Sequence, residues 1–222
     1  DPSMTIDIKP VGVGIIGCGN ISSVYFTAAK TFPILDIVAC ADLNPAAAEA
    51  RAEEFGCRAV SVDDLLADPA IELVINLTIP AVHAQVSQQI LAAGKHVHCE
   101  KPLAIDLADG KAVLDAAQQK KLLVGCAPDT FLGAGHQTCR KLVDDGWLGQ
   151  LIGGSCFMMY GGPDAWHPNP GFLFAKGAGP LFDIGPYYIT ALVNLLGPVR
   201  SVSAHCSQAR TQRMATGKET FG

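Results

Sequence analysis

Gly17 and Gly19 follow an apolar run, and a helical pattern starts at Ser22. A strand, a glycine turn and a helix in this order let a backbone approach a pyrophosphate and direct helical N–H groups towards it. Gly17 permits the tight turn and Gly19 removes a side chain where a phosphate would lie, while Asn20 and Ile21 complete the turn. This spacing predicts a dinucleotide-binding site.

The glycine spacing also allows a second register, which uses Gly12, Gly14 and Gly17. That register would place the turn inside the apolar run and leave too short a strand before it. We therefore assign the turn to residues 17–22, with Ser22 as a small residue at the third glycine position.

An acidic residue ends the second apolar run, where the hydroxyls of an adenosine ribose would be bound. Asp42 closes the run 34–41 and lies about 20 residues past the turn. Leu43 and Asn44 follow it, so no Lys or Arg beside it could hold a 2′-phosphate, and the pattern favours NAD over NADP. Asp42 could instead cap the next helix, but Asn44 and Pro45 already fill that role.

Composition limits the class of protein. The chain has 222 residues, is 49% hydrophobic and carries a formal net charge of −5. The mild acidity argues against nucleic acid or an anionic membrane as a partner, and we expect neither a membrane span nor a secretory leader. Eight cysteines without a CxxC pair indicate buried thiols in a reducing cytoplasm, and no His, Asp or Cys spacing predicts a metal site.

The first 126 residues alternate between apolar runs and helical patterns, which predicts a dinucleotide-binding domain with a doubly wound parallel sheet. Ligands bind such sheets at the carboxyl ends of the strands. The predicted strands are 11–16, 34–41, 57–60, 71–77, 95–99 and 122–126, and the helices after the first are 45–55, 63–67, 82–93 and 106–120.

Residues 127–222 have a different character and predict a second α/β domain. A long loop at 161–180 is rich in Gly and Pro, and loops of this length are often functional. It contains Trp166 and His167, an aromatic face and an imidazole that suit a polyhydroxyl ligand. The predicted helices are 134–145 and 181–196, and the predicted strands are 151–160 and 199–209.

Glu100, Lys101 and Pro102 directly follow the fifth predicted strand. The end of a parallel strand faces the cofactor in a doubly wound fold. Two charged residues that begin partly desolvated are an unusual choice for a simple turn. Spacing alone leaves two interpretations open, a solvated turn and a functional site.

Four tracts in order resemble the Gfo/Idh/MocA oxidoreductase family, whose members are NAD(P)-dependent dehydrogenases of sugars, cyclitols and related polyols. They are the glycine turn, residues 78–83, residues 93–102 and residues 177–188. The resemblance implies a Rossmann domain followed by an α/β domain with an open, mostly antiparallel sheet, which often forms the oligomer interface. It also implies a catalytic Lys101, which commonly precedes a cis proline in the family. We expect cofactor contacts by Thr78, Pro80, His83 and Glu100, and for His83 a structural role stays equally open.

The resemblance places Asp183 and Tyr187 in the active site, with Tyr187 where most members have histidine. The two residues are four apart in a predicted helix, so their side chains would share one face. A phenol is a poor base at its ordinary pKa near 10, and a neighbouring Lys101 ammonium would lower that pKa. We expect Tyr187 to accept the substrate proton, Lys101 to donate a hydrogen bond and Asp183 to orient a substrate hydroxyl. The reverse assignment of Lys101 and Tyr187 stays open.

Two other functions remain open at this stage. The chain could be a non-catalytic dinucleotide-binding sensor or regulator, or an NAD-dependent redox-assisted glycosidase. We expect a homo-oligomer that assembles through the second domain's sheet. The family resemblance also implies that this second domain is incomplete, because members of the family continue beyond the strand predicted at 199–209.

Overall fold

The computed structural model describes residues 9–165, 167, 170–208, 210–214 and 220–221. The chain divides into two compact units, Asp1–Ala127 and Pro128–Gly222. Trp166 and Ala209, which carry sequence predictions, lie outside the described residues. Within the described part, no helix is both long enough and apolar enough to cross a membrane.

The first unit contains a six-stranded parallel sheet with the order β3-β2-β1-β4-β5-β6. The chain builds the sheet outwards from β1 to β3 and then crosses back to place β4 on the other side of β1. Such sheets bind ligands in the crevice at this point, where the strand order reverses. The strands are β1 (Val11–Ile16), β2 (Leu35–Ala41), β3 (Arg58–Ala59), β4 (Leu73–Asn76), β5 (His96–Cys99) and β6 (Val124–Cys126). The helices are α1 (Ser22–Ala29), α2 (Pro45–Phe55), α3 (Val62–Ala67), α4 (His83–Ala92) and α5 (Leu107–Lys120).

Local signals explain where these helices begin and end. The side chain of Asn44 caps α2 by accepting a hydrogen bond from the Ala46 N–H at 3.2 Å, and Pro45 occupies the first turn. Gly56 ends α2 with a φ of 81°, a left-handed conformation that favours glycine. The order of strands and helices predicted for this unit is confirmed, with shifts of one or two residues at the ends.

Alternate residues of the strands enter two cores on opposite faces of the sheet. Val13, Ile15 and Ile75 pack with Phe26 of α1, whereas Ile16 and Val74 pack with buried residues of α3, α4 and α5. Gly12 and Gly14 lie inside β1, where an added Cβ would collide with the Ala70 carbonyl and the Leu65 side chain. This placement confirms that the turn uses the register of Gly17 and Gly19.

Helices form most of the regular secondary structure in the described part of the second unit. It contains α6 (Ala134–Asp144), α7 (Gly179–Asp183) and α8 (Gly185–Leu196), and one short antiparallel pair formed by β7 (Arg213–Met214) and β8 (Thr220–Phe221). Arg140 of α6 donates a hydrogen bond to the Asn194 carbonyl of α8 at 2.6 Å. This contact joins the two longest helices of the unit.

Three predictions for this unit are wrong, namely two strands and one continuous helix. Residues 151–160 and 199–208 do not form regular strands. Ile152 and Met159 are 98% and 84% exposed, and no neighbouring strand pairs with these segments in the described chain. The helix predicted over 181–196 is divided at Ile184, since Pro186 has no N–H to continue the helical hydrogen bonds. Asp183 and Tyr187 therefore do not share one face of a continuous helix.

Candidate active site

The turn after β1 has the shape that the glycine spacing predicts. Gly17 has a φ of 102°, and a Cβ there would approach the Leu77 carbonyl to 2.6 Å. A Cβ on Gly19 would meet no atom within 4 Å, so this position faces open space. Ser22 is fully buried and its hydroxyl donates to the Gly19 carbonyl at 2.7 Å. The turn is therefore fixed by its hydrogen bond to Ser22, while the position of Gly19 stays open to a ligand.

Arg51 of α2 supports the same turn from the side. Its Nε donates to the Ser22 hydroxyl oxygen at 3.1 Å, and its Nη1 pairs with Glu54 at 2.6 Å. The guanidinium thus bridges α2 and the beginning of α1. The local sequence does not indicate this role, because Arg51 and Ser22 are 29 positions apart in the chain.

Asp42 lies at the end of β2 with both carboxylate oxygens accepting backbone hydrogen bonds. Oδ2 accepts from the Cys18 N–H at 2.8 Å, and Oδ1 accepts from the Asn44 N–H at 2.8 Å. These bonds fix the side-chain rotamer and leave further lone pairs on both oxygens. A fixed carboxylate beside the glycine turn is suited to accept hydrogen bonds from two ribose hydroxyls.

A cavity of about 660 Å³ opens at this carboxyl edge of the sheet. Its volume falls within the usual range of ligand sites, about 300–1,000 Å³. Its walls combine the turn, the end of β2, the end of β4 and the helices α3 and α4. The predicted cofactor residues that line it are Gly17, Gly19, Asp42 and Thr78.

The charges around this cavity favour an uncharged ribose hydroxyl over a phosphate. Asp42 and Asp63 line it, and none of the described lining residues is Lys or Arg. A 2′-phosphate would meet two carboxylates without a cation, which is electrostatically unfavourable. Apolar side chains complete the walls, and they include Leu43, Leu66, Ile79 and Val82.

The loop after β4 is organised by Asn76, which is fully buried. Its Nδ2 donates to the His83 carbonyl at 3.0 Å and to the Ser87 hydroxyl at 3.1 Å. Its Oδ1 accepts from the Thr78 hydroxyl at 2.7 Å. One amide side chain therefore connects the strand end, the loop and α4.

His83 connects this loop to the residues after β5. Its ring is 1% exposed, with Nε2 at 2.8 Å from the Thr78 carbonyl and Nδ1 at 2.7 Å from the Pro102 carbonyl. One ring nitrogen donates in the neutral imidazole and both donate in the imidazolium. Because both nitrogens lie beside carbonyl oxygens, the ring links the two loops, which favours the structural role of His83. Its predicted contact with the cofactor stays a prediction. Pro80 begins the short 3₁₀ turn Pro80–Val82 that leads into this residue.

Glu100, Lys101 and Pro102 follow β5 at the same edge of the sheet. The Lys101–Pro102 peptide is cis, which confirms the expectation from the family resemblance. Glu100 accepts a hydrogen bond on Oε2 from the Lys101 N–H at 2.9 Å. Both residues are half-buried. Glu100 and Lys101 are thus partly withdrawn from solvent at the end of β5, which supports the functional interpretation over that of a solvated turn.

Asn20 and Ile21 are exposed in the turn itself. The Asn20 carbonyl accepts a hydrogen bond from the Ser23 hydroxyl at 3.3 Å. Neither side chain lines the cavity described above. Any cofactor contact that they make would therefore come from the outer side of the turn, and it stays a prediction.

The second unit has a cavity of its own, of about 560 Å³. Asp183 lines it together with Tyr160 and Arg213, two residues that sequence analysis missed. Burial raises the pKa of the Tyr160 phenol, and the charge of Asp183 adds to this effect. Arg213 pairs with Asp164 at 3.1 Å and lies over the Phe174 ring at 5.2 Å. The cavity therefore brings polar and aromatic groups together.

Two other predicted residues of the second unit, His167 and Tyr187, do not line this cavity. The His167 ring packs edge-on against Phe172 with centroids 5.4 Å apart. The Tyr187 N–H donates to the Ile184 carbonyl at 3.1 Å, within the first turn of α8. Trp166 lies outside the described residues, so its predicted substrate contact stays a prediction. Among the residues that the structure describes, no group of three or more His, Cys, Asp or Glu could hold a metal ion.

Comparison with known proteins gives matches in both units. Residues 11–127 match the family described as an oxidoreductase family with an NAD-binding Rossmann fold. Residues 136–221 match the GFO/IDH/MocA C-terminal domain.

Individual relatives are dehydrogenases and reductases by name. The chain is 32% identical over 211 residues to dTDP-3,4-didehydro-2,6-dideoxy-alpha-D-glucose 3-reductase from Saccharopolyspora spinosa, covering 91% of this chain and 61% of that protein. It is 31% identical over 141 residues to inositol 2-dehydrogenase from Rhizobium meliloti, covering 64% and 43%. The chain thus spans about half the length of these curated relatives.

A solved structure shows the same fold. KijD10, a 3-ketoreductase from Actinomadura kijaniata in complex with NADP and TDP-benzene, superposes with a TM-score of 0.71 at 26% identity, covering 85% of this chain and 58% of that one. The two family matches together cover the glycine turn, Asp42, Lys101 and Asp183. The chain belongs to the Gfo/Idh/MocA family of oxidoreductases, whose N-terminal domain is an NAD-binding Rossmann fold.

Proposed function

We propose that this protein is an NAD-dependent dehydrogenase that oxidises a hydroxyl of a sugar, cyclitol or related polyol. The observation that carries the proposal is the cavity at the carboxyl edge of the sheet, where the open face of Gly19 and the fixed carboxylate of Asp42 meet. This arrangement fits a dinucleotide whose ribose bears free hydroxyls.

The cofactor would be held by residues of the first unit. The N–H groups at the beginning of α1 would bind the pyrophosphate, because no acidic side chain occupies the first turn of that helix. Asp42 would accept hydrogen bonds from the ribose hydroxyls. NAD, when bound, supplies the acceptor for hydride. The carboxylates of Asp42 and Asp63 support NAD as the cofactor, with NADP as the weaker candidate.

The proposed chemistry needs a group that takes the substrate's hydroxyl proton. We assign this role to Tyr187 Oη, with Lys101 Nζ donating a hydrogen bond to the substrate oxygen and stabilising a phenolate. Asp183 would orient a neighbouring hydroxyl, and Trp166 and His167 would contact the sugar. The reverse assignment of Lys101 and Tyr187 is the alternative within the same proposal.

The relatives' names support substrates of this class in both reaction directions. One relative is a dehydrogenase of inositol and another is a reductase of a nucleotide-linked keto sugar. Oxidation of an alcohol and reduction of the ketone use the same positions for hydride and proton. The enzyme is therefore to be tested in both directions.

We also propose that the protein forms a homo-oligomer through its second unit. Large apolar side chains support this, since Ile152, Met159 and Val202 are each more than 80% exposed. Large apolar side chains that are this exposed are candidates for an interface between chains. Light scattering after gel filtration would give the mass, and a monomer at micromolar concentration would contradict this part of the proposal.

The activity itself is tested by following the near-ultraviolet absorbance of NADH with a panel of polyols, sugars and keto sugars. We expect net formation or consumption of NADH with at least one of them, and a higher kcat/KM with NAD than with NADP. Binding of NAD without turnover of any compound would favour a sensor instead. Release of nitrophenol from a nitrophenyl glycoside without net NADH would indicate a redox-assisted glycosidase.

A further inference from the structure

A hydrogen bond joins α1 to the end of β5, between residues 75 positions apart. The Tyr25 hydroxyl donates to Glu100 Oε1 at 2.6 Å. The other oxygen of this carboxylate, Oε2, accepts from the Lys101 N–H at 2.9 Å. Each carboxylate oxygen of Glu100 therefore accepts one hydrogen bond, one from a phenol and one from the backbone N–H of the proposed catalytic lysine.

Tyr25 is itself firmly held. Its ring packs against the apolar core that contains Val13 and Phe26, and its centroid lies 6.3 Å from that of His98 on β5. Ser22, one turn earlier in α1, is fully buried and donates to the Gly19 carbonyl. The phenol thus extends from a rigid helix whose first turn is anchored to the glycine turn.

The Glu100 side chain would have considerable freedom without this contact. A glutamate has three rotatable side-chain bonds and loses much entropy when it is fixed. In other rotamers its carboxylate would leave the Lys101 N–H, and the backbone that begins the Lys101–Pro102 turn would lose a hydrogen bond. A donor on a rigid helix selects the rotamer that keeps this bond.

We propose that Tyr25 is a positioning residue for Lys101. Its hydroxyl holds the Glu100 carboxylate against the Lys101 N–H, and thereby fixes the direction in which the lysine side chain leaves the end of β5. Tyr25 does not itself touch the reacting atoms in this account. The inference rests on the proposed function only where it concerns turnover, because the structural effect on Lys101 is measurable without a substrate.

The first test observes Lys101 directly in the full chain. Lysine amines are reductively methylated with ¹³C-formaldehyde, and the Lys101 signal is assigned by its loss in Lys101→Arg. We expect Tyr25→Phe to shift or broaden the Lys101 signal and to leave the other lysine signals in place. Thr31→Val is the matched control, because the Thr31 hydroxyl donates to the Ala28 carbonyl just beyond α1.

An unchanged Lys101 signal in folded Tyr25→Phe would overturn the proposal. This result would hold whether or not the protein turns over a sugar, so it is distinguishable from failure of the proposed function. Should Tyr25→Phe not fold, Glu100→Gln tests the same linkage, because it keeps the shape of the side chain but replaces one accepting oxygen by an NH2 group that cannot accept a hydrogen bond. An unchanged Lys101 signal in Glu100→Gln would overturn the proposal equally.

The second test separates positioning from cofactor binding. We expect Tyr25→Phe to lower kcat about tenfold while the Kd for NAD stays within about twofold, the pattern of a lost contribution to the transition state. Tyr25→Phe made in a Glu100→Gln background should lower kcat little further, because the partner of the Tyr25 hydroxyl is already altered. Effects that multiply in the double variant, or a loss of NAD affinity as large as the loss of kcat, would contradict the proposal.

Discussion

The Cys18 N–H donates a hydrogen bond to Oδ2 of Asp42 at 2.8 Å and joins the glycine turn to the end of β2 across 24 positions of sequence. The contact sets the distance between the proposed pyrophosphate and ribose sites before any ligand arrives. Preorganisation of this kind reduces the entropy lost on binding.

Asp42→Ala should therefore weaken NAD binding strongly. The substitution removes the acceptor for the ribose hydroxyls and loosens the turn, and we expect the Kd for NAD to rise about 10-fold to 100-fold, since hydrogen bonds to a charged group contribute about 1.5–3 kcal/mol. The Kd for NADP should change less, because the lost carboxylate no longer repels its phosphate. Isothermal titration calorimetry measures both.

Asp36→Ala is the control for this experiment. Asp36 is an exposed carboxylate on the same strand, so its removal changes the charge equally without touching the cavity. Equal NAD affinity in Asp42→Ala and Asp36→Ala would contradict the role assigned to Asp42.

Asn76→Ala should destabilise the first unit. The buried amide bonds to Thr78, His83 and Ser87, and its removal leaves several polar groups unsatisfied. We expect the free energy of unfolding to fall by about 2–4 kcal/mol, measured by urea denaturation with circular dichroism. Gln88→Ala, at an exposed position of α4, should change it by less than about 0.5 kcal/mol. A similar small effect in Asn76→Ala would contradict the organising role of this side chain.

The cysteines should differ in reactivity according to burial. Burial raises the pKa of Cys99 to about 12, with a smaller contribution from Cys126, so very little thiolate is present near neutral pH. Iodoacetamide at a pH of about 8 should alkylate the exposed Cys139 and leave Cys99 unmodified in the folded chain. The rate at Cys99 should rise as the pH approaches its pKa, because the thiolate fraction increases.

Peptide mass spectrometry after timed quenching gives both rates. Unfolding in urea should make the two cysteines react alike, which controls for differences between the peptides. Equal rates in the folded chain at neutral pH would show that Cys99 is not buried as described.

Much of the first unit can be predicted from sequence because its signals are local. Gly17 and Gly56 adopt positive φ values at a turn and a helix end, and Asn44 with Pro45 starts α2. The apolar runs are long enough to identify strands that are buried on both faces. The position of Asp42 beside the turn follows from parallel pairing of β1 and β2 alone.

The contacts that organise the site could not be predicted in the same way. Tyr25 and Glu100 are 75 positions apart, and nothing in either local sequence indicates that they meet. The His83 ring lies between two carbonyl oxygens of neighbouring loops, 5 and 19 positions away in the chain, and neither contact is indicated by the local sequence. Such contacts depend on how helices and loops pack on the sheet.

The second unit shows a different limit. The apolar pattern of residues 151–160 is typical of a strand, but a strand also needs a hydrogen-bonded neighbour. The break at Ile184 follows from Pro186, and the spacing of apolar residues alone does not predict it. Tyr160 and Arg213 were missed as cavity residues because they come from separate segments.

The central claim is that hydride passes from a polyol to NAD beside Lys101. It is tested most directly with a substrate from the panel that carries deuterium on the oxidised carbon. Mass spectrometry of the NADH formed in a single turnover should show one deuterium per molecule with the wild-type chain and with Lys111→Ala, a change at an exposed lysine of α5. Lys101→Ala should form labelled NADH at least about 100-fold more slowly while still binding NAD. Unlabelled NADH from the wild-type chain, or labelled NADH formed at the wild-type rate by Lys101→Ala, would contradict the account.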